Sequence, residues 1–253
     1  MNIAEIELAS RCSWPALEEQ ELPIGILRYA AGVSRRSNSM TPRLDCRLCA
    51  AELIDTTESF FSKRRLPSTV RILDGVIKES QHVRLLDDQL AASDYRLEAP
   101  TSVMTLPLSE IAPRQLTTSR RGLQEQNLQN WLGSWLSVKQ QQAELLPIHQ
   151  AMLAKISDPS CYLVHESTHG SPLATGMGVY ANGGLGIFGI ATHQLARRRG
   201  LGADLLADLL HWGRTQGARY AYLQVESDNH AAVSLYRKHG FTEHYSYWYR
   251  VKH

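Results

Sequence analysis

The sequence contains no apolar run of the roughly 20 residues that a helix needs to cross a bilayer. Its first residues, MNIAEIELASRCSWPALEEQ, are too acidic and too often interrupted by polar residues to form a signal peptide. These two absences predict a cytoplasmic protein without a membrane partner.

Cysteine is also scarce, with four residues among 253 and no regular spacing that would indicate a disulfide framework. Cys46 and Cys49 form a C-x-x-C pair, but no second pair follows, and no βαβ pattern typical of a redox domain surrounds it. We interpret the two residues as small, half-buried positions on one face of a helix. No metal site is expected.

A strong charge of either sign is absent as well. The chain has 27 lysines and arginines against 25 aspartates and glutamates, which gives a formal net charge of +2. Basic residues do cluster, above all at Arg197–Arg199, yet the sequence holds no recognised nucleic-acid-binding motif, and no such partner is expected. The length and the hydrophobic fraction of 43% suit one large globular domain or two small ones.

The N-terminal half alternates short strands and helices. Apolar periodicity predicts the following elements: strand 24–31 with a possible partner at 35–41, helix 44–64, strand 70–73, helix 85–93 and strand 101–108. Pro107 and Pro113, with several serines and threonines, then break the pattern. We therefore predict two domains, residues 1–115 and 116–253.

The C-terminal half has clearer boundaries. The predicted elements are helices 123–136 and 142–156, strands 161–166, 173–180 and 185–192, helix 200–216, strand 220–226, helix 229–239 and a last strand within 241–251. Asn182-Gly183-Gly184 indicates a tight hairpin, because these residues tolerate positive φ. The order βββαβαβ predicts an α/β fold with a mixed, mostly antiparallel sheet and helices on both faces.

One segment has the pattern of an anion-binding turn. The strand 185–192 leads into Arg197-Arg198-Arg199-Gly200-Leu201-Gly202, and the next helix starts there. The first N–H groups of a helix lack intrahelical partners and carry partial positive charge, and glycines let a phosphate approach them. A plain helix start with glycines for packing is the alternative. The segment is neither a Walker A loop nor a dinucleotide fingerprint.

A second motif follows about thirty residues later, with Asn229, Ala232, Leu235-Tyr236 and Gly240-Phe241 in the spacing N-x-x-A-x-x-L-Y-x-x-x-G-F. Together with R-x-x-G-x-G, this pair resembles the GNAT superfamily of N-acetyltransferases, over roughly residues 161–251. The resemblance implies acetyl-CoA as the acyl donor. Its pyrophosphate would lie on the amides of Arg198–Ala203 beside Arg197, and its pantetheine arm along the strand residues Ile190, Ala191 and Thr192.

The second motif also suggests catalytic roles. Asn229 should cap its helix, and the resemblance implies that its amide also faces the pantetheine. Tyr236 lies about two helical turns further on, so it should project from the same face. The resemblance makes Tyr236 the general acid that protonates the departing thiolate. A core aromatic residue is the alternative.

The general base is harder to identify, because the strand 185–192 carries no carboxylate. On the strand 220–226, period-two alternation places Tyr222, Gln224 and Glu226 on one face. Gln224 lies where some relatives carry glutamate, so we favour Glu226 as the base. A solvated glutamate beside a helix, a role for His193 and a water-relayed proton stay open.

The N-terminal half resembles the front part of two-lobed bacterial GNAT-like proteins, in which a degenerate GNAT-like lobe precedes the active one. It has neither of the two motifs, so it should not bind CoA. Arg35, Arg36 and Asn38 could contact the acceptor, but satisfying backbone groups at a turn is the simpler interpretation. Trp14 should anchor packing.

The expected function is acetyl transfer from acetyl-CoA to a primary amine: a small molecule, a peptide N-terminus or a lysine. Other acyl groups would leave the same motifs intact. The alternative is a non-catalytic acyl-CoA sensor or partner-binding module, which would not need the proton donor Tyr236. Both a monomer and a homodimer are compatible with the sequence.

Overall fold

The structure is a computed structural model, and it describes residues 2–43, 49–74, 81–110 and 123–253. Within these ranges no helix is long and apolar enough to cross a membrane. The helices are α1 (Ile3–Ser13), α2 (Ala50–Ser62), α3 (Gln81–Ala92), α4 (Leu128–Lys139), α5 (Leu146–Leu153), α6 (Leu201–Thr215) and α7 (His230–Lys238). The strands are β1 (Glu18–Leu22), β2 (Gly25–Tyr29), β3 (Ser39–Pro42), β4 (Ser68–Leu73), β5 (Arg96–Pro107), β6 (Leu123–Glu125), β7 (Ser160–Glu166), β8 (Pro172–Ala181), β9 (Gly184–Thr192), β10 (Tyr220–Glu226) and β11 (Thr242–Lys252).

The chain forms two compact units, and each is assembled from three segments. Unit 1 contains Met1–Pro15, Thr105–Leu223 and Arg237–Thr242; unit 2 contains Ala16–Met104, Gln224–Tyr236 and Glu243–His253. The domain boundary near residue 115 lies outside the described residues and stays a prediction.

Unit 1 is built on strands in the order β10-β9-β8-β7-β6. β10 pairs in parallel with β9 through its first four residues, and the other neighbours are antiparallel. The β8–β9 hairpin turns at Asn182 and Gly183, whose φ angles of 50° and 77° explain why the chain needs these residue types there. The chain order β7, β8, β9, α6, β10, α7 and β11 confirms the predicted βββαβαβ pattern.

Helix α6 buries one apolar stripe against the strands of unit 1. Leu205, Leu209 and Leu210 are buried, whereas Leu201 at the helix start is half-buried. The helix ends at Gly217, which has a φ of 86° and donates its N–H to the Arg214 carbonyl oxygen at 3.0 Å. A glycine in this left-handed conformation is a common way for a helix to end.

Unit 2 has the strand order β1-β2-β3-β4-β11-β5. β3 and β4 are parallel, and the pairs β1–β2, β2–β3 and β4–β11 are antiparallel. The pairing predicted between 24–31 and 35–41 is therefore confirmed, with Arg35–Ser37 forming a 3-10 turn before β3. One sheet face packs on α2 and α3 through a core that includes Leu27, Met40, Leu53, Phe61, Val70, Ile72, Leu86 and Leu90. Both units confirm the mixed, mostly antiparallel α/β architecture.

Several predicted elements need correction. The helix predicted from Leu123 begins at Leu128, because Leu123–Glu125 pairs with β7 and the Asn127 side chain caps the helix by accepting from the Asn130 N–H at 2.9 Å. Helix α1 was missed although Asn2 and Glu5 form a reciprocal capping box. Strand β5 starts five residues earlier than predicted, at Arg96 instead of residue 101.

The interpretation of the C-x-x-C pair was wrong for Cys49. This residue is exposed and directly precedes α2 as its N-cap, so it is not half-buried on a helix face. Cys46 lies outside the described residues. Among the described residues, Cys12, Cys49 and Cys161 are free thiols.

Candidate functional site

A bulge interrupts β9 at Gly189. Between the regular pairs Thr175–Ala191 and Met177–Phe188, β9 has one residue more than β8. Gly189 takes a φ of 60°, which a residue with a side chain rarely adopts. The bulge changes the direction in which the last residues of β9 present their backbone groups.

Two contacts hold this bulge in place. The Thr175 hydroxyl donates to the Gly189 carbonyl oxygen at 3.0 Å. A Cβ atom on Gly189 would lie 2.6 Å from the Trp131 side chain, so the indole packs directly on the glycine. Trp131 in turn stacks on Trp135, with ring centroids 5.7 Å apart. Sequence reasoning missed Thr175 and Gly189, although a glycine inside a strand signals a bulge.

The last residues of β9 leave one backbone edge open. Within residues 123–253, the parallel ladder between β9 and β10 runs from the pair Gly184–Tyr220 to the pair Ile187–Leu223 and then stops. Ile190, Ala191 and Thr192 follow that point and are half-buried. An extended ligand could pair with this edge in the manner of an added strand.

The turn before α6 collects backbone N–H groups. In the part of the chain that the structure describes, the N–H groups of the five consecutive residues from Arg198 to Gly202 donate to no protein acceptor. The Gly200 carbonyl already accepts from the N–H groups of Ala203 and Asp204, at 2.8 and 3.0 Å. The open donors therefore end at Gly202. They lie at the positive end of the α6 dipole, which favours an anion.

Conformation and charge both suit this turn to an anion. Arg198 and Gly200 have φ angles of 61° and 84°, and such left-handed residues turn successive N–H groups toward a common point. A Cβ on Gly200 would meet no protein atom within 4 Å, so the space in front of the turn is open. The side chains of Arg197, Arg198 and Arg199 are exposed and add positive charge.

Unit 2 holds the remaining predicted residues around the end of β10 and the start of α7. The Asn229 side-chain oxygen accepts from the Ala232 N–H at 3.2 Å, so the predicted cap is present. Glu226 is exposed, and its carbonyl oxygen accepts from the Asn229 N–H at 3.0 Å.

Tyr236 lies on α7 and is only 7% exposed. Burial disfavours the phenolate and raises the pKa of Tyr236 from 10.0 to about 12. The phenol is therefore protonated throughout the physiological range, as a proton donor must be.

The other candidate bases have different surroundings. Gln224 accepts a hydrogen bond of 2.8 Å from the Tyr247 hydroxyl. His193 uses its Nδ1 to accept from the Leu195 N–H at 3.4 Å and so caps a short 3-10 turn. Tyr222, expected to share a face with Gln224 and Glu226, is fully buried and donates to the Ser13 hydroxyl at 3.1 Å.

The N-terminal polar residues are engaged in local structure. Asn38 accepts from the N–H groups of Ala30 and Gly32 and donates to the Ser34 carbonyl, at 2.8, 3.0 and 2.7 Å. This supports the interpretation of Asn38 as a turn-stabilising residue. Arg35 forms an ion pair with Glu98.

Trp14 is buried, as expected for a packing anchor. It stacks on Phe188 with ring centroids 5.7 Å apart and meets Trp135 edge-on at 6.1 Å. Among the described residues no group of histidine, cysteine, aspartate and glutamate side chains could hold a metal ion.

Solved structures share this architecture. A GCN5-related N-acetyltransferase from Kribbella flavida has a TM-score of 0.70 and 15% sequence identity, and the match covers 100% of this chain and 96% of that one. A tandem GNAT protein from the clavulanic acid biosynthesis pathway has a TM-score of 0.60 and 13% identity, covering 79% and 69%. At such low identity the likeness concerns the fold, which is that of the GNAT superfamily.

Comparison of the sequence with known proteins shows the family. The "Uncharacterized N-acetyltransferase YobR" of Bacillus subtilis is 27% identical over 256 residues, which is 99% of this chain and 99% of that protein. The family described as "Probable histone acetyltransferase Rv0428c C-terminal" matches residues 1–250. The chain belongs to this family and is an N-acetyltransferase of the GNAT superfamily.

Proposed function

We propose that the protein transfers the acetyl group of acetyl-CoA to a primary amine by direct attack within a ternary complex. The observation that carries this proposal is the run of open N–H groups from Arg198 to Gly202. Five donors at one turn, next to three arginines, suit a pyrophosphate, because each charge-assisted hydrogen bond offsets part of its lost hydration. Acetyl-CoA carries such a group.

The cofactor-binding residues fall into two sets in this proposal. The turn binds the pyrophosphate through the backbone amides from Arg198 to Gly202 and through the side chains of Arg197, Arg198 and Arg199, whereas the Ala203 N–H already donates to the Gly200 carbonyl oxygen. The open edge at Ile190, Ala191 and Thr192 pairs with the amide groups of the pantetheine arm. The side-chain NH2 of Asn229 would donate to the same arm, while its oxygen caps α7.

Tyr236 is proposed as the general acid. The amine nitrogen attacks the acetyl carbonyl carbon, the C–S bond breaks, and the sulfur takes up the electron pair and a proton. Because the pKa of Tyr236 is about 12, the phenol holds its proton at neutral pH and can donate toward sulfur as charge develops.

Glu226 is proposed to accept the proton that the amine loses, directly or through one water molecule. Its carboxylate is exposed, so a solvent molecule can reach both it and an incoming amine. The competing residue His193 already uses Nδ1 as a cap, which favours Glu226.

We further propose that residues 116–253 supply both cofactor motifs and that residues 1–115 bind no CoA.

Calorimetric titration with acetyl-CoA tests the proposal directly. We expect one site per chain with micromolar affinity, and release of free CoA when a panel of primary amines is added. The panel should include lysine peptides, because the family description names a probable histone acetyltransferase. Absence of acetyl-CoA binding would overturn the proposal, and binding without turnover of any amine would point to an acyl-CoA sensor.

A further inference from the structure

The bulge of β9 lies at the inner end of the proposed pantetheine edge. The pyrophosphate is proposed to bind at Arg198–Gly202, and the arm then runs back along Thr192, Ala191 and Ile190. Its sulfur end therefore arrives at Gly189, the next residue of β9. Gly189 is half-buried, so it can be reached from the open edge of the strand. The acyl group on that sulfur must fit into the space around the bulge.

Strand pairing closes this space at its far end. The β9–β10 ladder ends with the pair Ile187–Leu223, and both residues are buried. Ile190 follows Ile187 by three residues, which is at most about 10 Å of strand. An acyl group that extends beyond Gly189 therefore meets the paired part of the sheet. The room for an acyl chain along the strand is short.

Two indole rings of α4 form a wall beside the bulge. A Cβ on Gly189 would lie 2.6 Å from Cζ2 of Trp131 and 3.3 Å from Nε1 of Trp135. The two rings are nearly parallel, with an interplanar angle of 10°, and both residues are buried. Trp14 and His149 pack edge-on against Trp135, with ring centroids at 6.1 and 5.0 Å. Trp135 therefore cannot turn away from the bulge without displacing its neighbours.

Helix α6 supplies a second wall. A Cβ on Gly176 of β8 would lie 2.8 Å from the Ile190 side chain and 3.2 Å from the Leu209 side chain of α6. The Ile190 side chain thus packs toward α6, whereas the Cβ position of Gly189 faces α4. Bulky side chains from two helices surround the bulge, and the open edge of β9 is left for the pantetheine arm.

The α4 wall also contains an unused donor. Trp131 Nε1 is enclosed and makes no hydrogen bond within the part of the chain that the structure describes. Buried N–H groups are nearly always paired, so this one indicates a missing acceptor. Nε1 and Cζ2 are bonded to the same indole carbon, so Nε1 lies on the edge of the ring that contacts Gly189. The carbonyl oxygen of an acyl group at the bulge is an acceptor of the required kind.

We propose that Trp131 and Trp135 form the wall of the acyl pocket and restrict the acyl donor to acetyl-CoA. This inference rests on the proposed acetyl transfer and specifies its acyl group. The short space beside Gly189 accommodates the methyl group of an acetyl, whereas each further methylene of a propionyl or butyryl group has to displace a buried ring. The Trp131 N–H donates to the acyl carbonyl oxygen and fixes the orientation of the thioester.

A series of acyl donors tests the size limit. Transfer to the fastest-reacting amine of the panel is measured with acetyl-CoA, propionyl-CoA and butyryl-CoA. We expect kcat/KM of the wild-type protein to be about tenfold or more lower with propionyl-CoA than with acetyl-CoA, the effect expected when one methylene must enter a closed pocket. It should be lower again with butyryl-CoA. Equal use of the three donors would overturn the inference.

Two variants locate the limit. Trp131→Phe and Trp135→Phe keep an aromatic ring but make it smaller, so each should raise kcat/KM for propionyl-CoA and reduce the preference for acetyl-CoA about tenfold. A gain of activity with a longer donor cannot result from general damage to the fold. Trp212→Phe, which changes a half-buried tryptophan of α6, is the matched control and should keep the wild-type preference. If both α4 variants keep it as well, the inference is wrong.

The indole N–H groups separate this inference from the proposed function. The chain has five tryptophans, so a proton–nitrogen NMR spectrum contains five indole signals, and the Trp131→Phe variant assigns one of them. We expect the Trp131 signal to shift downfield with acetyl-CoA relative to free CoA, because its N–H gains an acceptor. If it shifts but no amine is acetylated, the acyl pocket exists and only the proposed transfer is wrong. If amines are acetylated and both ligands give the same Trp131 signal, only the acyl pocket is wrong.

Discussion

The Thr175 hydroxyl and the Gly189 carbonyl oxygen are 3.0 Å apart, and the hydrogen bond between them keeps the β9 bulge in shape. Thr175 is fully buried, so this bond is shielded from water. The proposed pantetheine edge, Ile190–Thr192, follows directly after the bulge. The geometry of that edge therefore depends on a residue of the neighbouring strand that need not contact the cofactor.

Thr175→Val should weaken acetyl-CoA binding about fivefold, since it removes one buried hydrogen bond of roughly 1 kcal/mol. Calorimetry measures the change in Kd. Thr57→Val is the matched control, because Thr57 is equally buried and its hydroxyl donates at 2.6 Å to Leu53 within α2. Equal affinity of Thr175→Val and wild type would mean that the bulge does not position the cofactor.

Gly189→Ala should both destabilise the fold and reduce acetyl-CoA affinity. The new methyl group would lie 2.6 Å from Trp131, and the backbone φ of 60° is strained for alanine, so we expect a loss of about 1–3 kcal/mol in the free energy of unfolding. Urea denaturation gives this value. Gly133→Ala in α4 meets no atom within 4 Å and should be neutral or stabilising.

Gly202→Val should lower acetyl-CoA affinity by steric exclusion of the pyrophosphate from the turn before α6. The isopropyl group at the helix start would crowd the open N–H groups, and we expect at least a tenfold increase in Kd, which corresponds to about 1.4 kcal/mol. Adenosine 3′-phosphate 5′-diphosphate, the part of CoA that retains the pyrophosphate, should lose affinity equally. Unchanged binding would show that the phosphates lie elsewhere.

Tyr236→Phe should reduce kcat by about 10²–10⁴-fold, the usual contribution of a general acid, with little change in KM for acetyl-CoA. The pKa of about 12 adds a pH prediction. Because Tyr236 keeps its proton below that value, the wild-type rate should show no fall from phenol ionisation near pH 10. Tyr180→Phe, a half-buried tyrosine at the far end of β8, is the control and should retain full activity.

The free energy of unfolding should also decrease in alkaline solution, because burial disfavours the ionised form of tyrosine. Burial raises the pKa of Tyr236, Tyr220 and Tyr162 above the unfolded value near 10. Above pH 10 the unfolded chain binds fewer protons than the folded chain, so the free energy of unfolding falls as pH rises. The contribution of these tyrosines to the free energy of unfolding is complete below about pH 10. The contribution of Tyr236 is lost progressively toward pH 12. Denaturant titrations at increasing pH, followed with tyrosinate absorbance, measure both effects.

The sequence predicted the parts of the site that depend on local chemistry. Gly200, the Asn182-Gly183 turn and the Asn229 cap follow from backbone requirements that a few neighbouring residues impose. The bulge at Gly189 was missed, because the strand pattern 185–192 looks regular until β8 is placed beside it. Thr175 and Trp131 act on Gly189 only through tertiary contacts.

The burial of Arg71 was also beyond sequence reasoning. Arg71 lies in a short apolar run, and only the register with Tyr249 and the contact with Tyr247 show that it belongs to a polar cluster. The beginning of α4 was misplaced for a similar reason, since the pairing of Leu123–Glu125 with β7 overrides local helix propensity.

The segmented composition of the two units has a consequence for biosynthesis. Unit 1 includes residues near the start of the chain, such as Trp14, and also Arg237–Thr242, whereas unit 2 includes Glu243–His253. Neither unit can be completed until the ribosome has made these late segments. We therefore expect folding to follow synthesis of nearly the whole sequence, in contrast to the usual order in which an N-terminal domain folds first.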